Sequence, residues 1–116
     1  MKAGREYADY VRDMLESIAK VSHFIEGFNF ERFSADDKTV FAVIRGIELV
    51  GEAARNIPAT VRSRNANIPW REICGMRDKL IHDYMGINLA VVWKTAKEDL
   101  PKLEPQLKQL LAKASE

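Results

Sequence analysis

Apolar residues recur every three or four positions along almost the whole chain, and no stretch alternates at every second position as a half-buried strand would. The chain is therefore read as helices. Tyr7, Val11, Met14, Ile18, Val21, Ile25 and Phe28 form a first stripe, predicting a helix from roughly Arg5 to Gly27. Ser34 with Asp37 three positions later resembles a capping box, and Val40, Ile44, Ile47, Val50, Ala54 and Ile57 carry a second helix to Pro58. Pro58 to Asn67 has the composition of a connector, with room for one short helical turn. Pro69 suits the first position of a third helix, because its missing N–H would be unpaired there anyway, and that helix runs to about Tyr84. Gly86 suits its stop and Asn88 the next N-cap. Leu89, Val92, Trp93, Ala96 and Leu100 follow as a fourth stripe, which Pro101 breaks or kinks. Leu103, Leu107, Leu110 and Ala114 complete a last helix, almost collinear with the fourth.

Four amphipathic helices with short connections bury their stripes most economically as an all-α, antiparallel up-and-down bundle with a kinked or split C-terminal helix. With 116 residues the chain is expected to form one domain, 1–116, that needs neither disulfide nor metal to hold a core. Phe41, Val43 and Leu49 lie outside the main stripe of the second helix. That surplus serves either a subunit interface or a second neighbour within a small bundle. Eighteen basic against 17 acidic residues leave a net charge of +1, so any polyanion site must be local. No apolar run approaches the roughly 20 residues of a membrane span. A single cysteine, Cys74, and a charged start without signal-peptide character make the cytoplasm the expected compartment.

The dense polar chemistry lies in Arg77-Asp78-Lys79-Leu80-Ile81-His82-Asp83-Tyr84, late on the third helix. Arg77 falls within the apolar arc shared by Trp70, Ile73, Leu80 and Tyr84. A guanidinium there cannot shed its charge and must reach a carboxylate, a partner subunit or a bound anion. Asp78 and His82, four residues apart, are spaced to touch, and a carboxylate orients an imidazole and favours its protonated form. An Asp–His pair on a helix also occurs as a plain solvated pair. A regular helix turns about 140° between Arg77 and His82, so a single copy brings them together only by bending. Two copies related by a two-fold axis remove that difficulty by sharing one cleft.

Arg77, four intervening residues, His82, one residue and Tyr84 reproduce the Arg-x4-His-x-Tyr motif, and the chain resembles HEPN-domain toxins of the HepT type. Ile68 through Arg77, Gly51-Glu52-Ala53-Ala54, Val91-Val92-Trp93 and Asp99-Leu100-Pro101 share the likeness, which covers nearly the whole chain. The resemblance implies a homodimer with a composite cleft, acting as a metal-independent endoribonuclease on RNA such as tRNA or mRNA. It further implies the toxin of a type VII-like toxin–antitoxin pair, neutralised when a cognate minimal nucleotidyltransferase AMPylates Tyr84. Arg77 and His82 become the catalytic pair. The supporting role of Asp78 rests on its spacing from His82 alone, since the family varies at that position. Arg71 and Lys79, with Arg62 and Arg64 nearby, are candidates for a basic rim that holds RNA.

These residue types suit cleavage without a metal, with an imidazole to move protons and a guanidinium to hold phosphate. The alternative is a non-catalytic HEPN adaptor, or a substrate-binding partner of a nucleotidyltransferase, although an adaptor need not keep Arg77, His82 and Tyr84 together. With only His23 and His82 and no Glu-x-x-His pair, no metal site is expected, and no cofactor. There is no Gly-rich phosphate loop.

Overall fold

The structure, a computed structural model, describes residues 6–82 and 88–114, and within these the side chains of Arg77, Lys79, Ile81 and His82 are not described. Tyr84 and the expected helix stop at Gly86 lie outside the described residues. The architecture is an all-α, antiparallel up-and-down bundle, with no strand among the described residues.

The first stripe forms α1, Tyr7–Phe24, and buries Val11, Met14, Ile18 and Val21 completely. Asp9 opens this helix by accepting the Glu6 N–H at 3.2 Å. The helix closes three residues before Gly27, whose φ of 79° turns the chain in a conformation that costs glycine nothing. A short helix that the periodicity did not suggest follows as α2, Phe30–Ser34. Its cause is tertiary: Phe33 is fully buried, its ring 5.2 Å from that of Trp93, and wrapping this aromatic inward coils the chain around it. Ser34 is consequently the last residue of α2, where its hydroxyl donates to Phe30 O, and the expected Ser34–Asp37 capping box does not form. Asp36 caps the next helix instead, its Oδ1 accepting the Thr39 N–H at 3.1 Å.

Helix α3, Asp37–Arg55, packs against both α1 and α5, the latter spanning Trp70–His82. Val43, read from sequence as surplus, is fully buried by this double contact. Phe41 and Leu49 do remain outside the core, 74% and 37% exposed. Where α1 crosses α3, the Ser17–Val21 turn lies directly on Gly46, and a Cβ built there would collide with Val21 Cγ2. Valine has little freedom at χ1 to move aside.

The connector holds one short helix, α4, Ala59–Arg64, and is fastened by buried Asn65. Asn65 O accepts from Trp70 Nε1 at 3.0 Å, while its side chain donates to Val61 O and accepts from Lys113 Nζ. Trp70, buried at the start of α5, is thereby tied to the loop that precedes it. Pro69 sits one place earlier than expected, its carbonyl accepting the Ile73 N–H.

Asn88 caps α6, Leu89–Lys94, as its sequence position suggests, accepting the N–H groups of Ala90 and Val91. Pro101 does not break the helix that follows. A π-helical turn over Thr95–Asp99 passes directly into α7, Leu100–Ala114, with the Leu100 N–H donating to Thr95 O. The wider turn fits a proline, which lacks an N–H and whose ring collides with the carbonyl four residues back in a regular α-helix. Ala96, Leu100, Leu103, Leu107 and Leu110 are buried along this continuous helical run. No helix among the described residues is long and apolar enough to cross a membrane.

The α1–α3 contact yields a direct expectation. Gly46→Ala must push Val21 or the α1 backbone outward and should destabilise the fold by about 1–3 kcal/mol. Urea unfolding would register this as a lower midpoint at unchanged slope.

Candidate active site

Helix α5 carries Arg77, Asp78, Lys79 and His82 on described backbone, with His82 its last residue. It begins firmly, with Trp70 and Ile73 buried against the core. From there the helix lies along α3, and the last turn of α3 supplies Arg55.

Asp78 is the motif residue whose side chain can be followed. Its Oδ2 accepts from Arg55 Nη2 at 2.9 Å, and the same nitrogen donates to Cys74 O at 3.3 Å. The carboxylate is thus engaged across to α3. Both side chains are about half exposed, so the pair contributes roughly 0–1 kcal/mol. Sequence reasoning missed Arg55 altogether. It stands 23 positions before Asp78 on another helix, beyond any periodicity or motif, and its one local signal is a cation in a helix's last turn, which the helix dipole alone would explain.

Around this pair lies a groove of about 590 Å³ between the end of α3, α4 and α5. Arg55, Arg62 and Arg71 line it together with Gly75 and Asp78. Of the arginines proposed as a basic rim, Arg62 and Arg71 therefore come together here; Arg64 does not line the groove, and the Lys79 side chain is not described. Nε of Arg62 is buried and has no hydrogen-bond partner among the described residues. A buried polar group left unpaired ordinarily costs about 1–3 kcal/mol.

Gly75 contrasts with Gly46. A Cβ at Gly75 would have nothing within 4 Å, so the missing side chain serves no helix packing. A slightly larger groove of about 600 Å³ lies between α1 and α3, lined by Tyr10, Ser17, Phe24, Arg45 and Leu49 among others, and contains none of the motif residues. Among the described residues no three His, Cys, Asp or Glu side chains are grouped to hold a metal ion.

An all-α bundle that sets an arginine and a histidine five positions apart on one helix, beside a cationic groove, belongs to a narrow class of helical domains. The family model described as "Ribonuclease HepT-like" matches residues 14–110, and the chain belongs to that family. The protein named "Probable ribonuclease HepT" of Thermococcus cleftensis is 46% identical over 106 residues, which cover 91% of this chain and 96% of that protein. "Putative RNase TTE0752" of Caldanaerobacter subterraneus subsp. tengcongensis is 38% identical over 113 residues, 97% of this chain and 98% of that one. "Putative RNase MJ1216" of Methanocaldococcus jannaschii is 34% identical over 107 residues, covering 92% and 88%. No solved structure gives a significant match.

If Gly75 is free of packing duty, Gly75→Ala should behave oppositely to Gly46→Ala. Thermal or urea unfolding should show a gain of about 0.5–1 kcal/mol, the ordinary helix preference for alanine; a loss would mean that the backbone there is under a constraint other than the groove.

Proposed function

We propose that this protein is a metal-independent endoribonuclease, the toxin of a type VII-like toxin–antitoxin pair, with Arg77 and His82 as its catalytic pair. The observation that carries the reading is the Arg77-x4-His82-x-Tyr84 motif, with Arg77 and His82 on α5, in a chain that the HepT-like ribonuclease family matches over residues 14–110. The relatives' names, "Probable ribonuclease HepT" and "Putative RNase TTE0752" among them, and the cationic groove beside the motif support it.

In this mechanism His82 removes the proton from an RNA 2′-hydroxyl. The 2′-oxygen attacks the adjacent phosphorus, and the bond from phosphorus to the 5′-oxygen breaks. A second His82 across a two-fold axis, or water, gives the departing oxygen its proton. Products are a 2′,3′-cyclic phosphate and a 5′-hydroxyl. Arg77 holds the non-bridging phosphate oxygens as negative charge grows on them, a task for which its planar fork is better shaped than an ammonium.

The shared cleft follows from register, since five positions on one helix lie about 140° apart. A homodimer lets the arginine of one copy meet the histidine of the other. Phe41 and Leu49, exposed on α3, supply apolar surface that such pairing would use. Neutralisation is by a partner nucleotidyltransferase encoded alongside: the Tyr84 hydroxyl attacks the α-phosphorus of ATP, AMP is transferred and pyrophosphate leaves. The added phosphate competes with RNA for Arg77. A cytoplasmic site of action accords with tRNA or mRNA as substrate.

Purified protein incubated with total RNA and tRNA in the presence of EDTA should leave cyclic phosphate ends, and His82→Ala should cut about 10²–10⁴-fold more slowly. Absence of cutting by the wild type, with mass spectrometry finding Tyr84 unmodified, would overturn the reading in favour of a non-catalytic adaptor. Co-expression with the nucleotidyltransferase should add one AMP to the peptide containing Tyr84.

A further inference from the structure

The chemistry above uses Arg77, His82 and Tyr84 and leaves the groove between α3, α4 and α5 without a task. That groove brings three guanidiniums, Arg55, Arg62 and Arg71, around one carboxylate, Asp78. Arg55 is held by the carboxylate at 2.9 Å, whereas Arg62 Nε is buried with no partner among the described residues. A chain with a net charge of only +1 has concentrated cations here. The groove reaches over Gly75, where nothing lies within 4 Å of a would-be Cβ, so backbone is open to close approach at the cost of a glycine inside a helix.

Guanidinium forks select planar or tetrahedral oxyanions, and an open groove with bare backbone admits a sugar-phosphate strand. The groove, about 590 Å³ and open to solvent, has room for a nucleotide laid along it. Asp78 lies one helical turn before His82, about 6 Å along the axis of α5. A strand whose scissile phosphate lies at His82 therefore has a neighbouring phosphate within reach of the groove.

We propose that Arg55, Arg62 and Arg71 form a phosphate-binding subsite for the RNA backbone beside the scissile bond, and that Asp78 tempers its affinity by competing for Arg55. The inference rests on the ribonuclease reading and adds to it the surface that holds substrate. Arg55, Arg62 and Arg71 are binding residues; Asp78 competes with phosphate for Arg55.

The test is fluorescence anisotropy with a labelled single-stranded oligoribonucleotide that is 2′-O-methylated throughout and so cannot be cut through its 2′-oxygen. Each lost phosphate contact lowers the slope of log K against log[salt] by about 0.7 for a single strand. Arg62→Met with Arg71→Met should therefore reduce the slope by about 1.4 and weaken binding roughly tenfold or more at moderate salt. Gly75→Leu, which fills the groove without changing charge, should weaken binding while unfolding no earlier than wild type. Asp78→Asn should tighten binding, a sign that a merely structural Asp78 would not give. Unchanged affinity and salt slope in the folded double variant, or unchanged affinity in Gly75→Leu if the double variant does not fold, would overturn the subsite. If the wild type still cuts RNA in that case, the ribonuclease reading stands alone; if the wild type neither binds the oligonucleotide nor cuts RNA, both fall.

Discussion

The contact of α1 on α3 at Gly46 is the constraint from which the remaining geometry follows. Because no side chain stands between the helices there, the Val21 methyl rests on the α3 backbone and the two axes are drawn close. Helix α3 is then covered on one side by α1 and on another by α5, and Val43 and Ile47 are sealed between its neighbours. Once α5 lies along α3, the end of α3 delivers Arg55 to Asp78. A packing requirement midway along one helix thus determines which cation meets the motif at the far end of another.

Elements whose cause is local were readable from the residues themselves. The Asn88 cap needs only a side-chain amide and two free N–H groups a residue or two away, and the structure has it as expected. The α1 stripe needs only the helical period. Elements whose cause is tertiary were not readable. Phe33 coils α2 because Trp93, sixty residues later, offers it a surface, and this displaces the cap of α3 from Ser34 to Asp36. For Val43 the sequence left open a subunit interface or a second neighbour, and only the packing of α3 on both α1 and α5 decides for the neighbour. Whether Pro101 breaks or only kinks the helix was left open, because the π-helical turn that lets the helix continue through it is not a property of the apolar spacing.

The same division runs through the candidate site. Arg77, His82 and Tyr84 could be recognised as a set because their spacing is a sequence property. The groove was readable only in part: Arg62 and Arg71 were among the arginines expected to form a basic rim, whereas Arg55 comes from a third helix that no spacing links to them. The connector between α3 and α5 is anchored by buried Asn65, which binds Trp70 at the start of α5 and Lys113 near the end of α7. Asn65 therefore determines where Arg62 and Arg71 stand, although it carries no chemistry of its own.

The energetics of the Arg55–Asp78 pair indicate what kind of object the groove is. An ion pair about half open to solvent adds little to stability, so its presence is poorly explained as a brace for the fold. Beside it, Arg62 carries a buried N–H with no partner among the described residues, a cost that a purely structural arginine could avoid by turning outward. Gly75 adds a second departure from the stability optimum, a helix-interior glycine with no neighbour to accommodate. Two small costs and a nearly neutral ion pair gathered in one groove beside α5 are what is expected where binding an anion, and not folding, set the choice of residues.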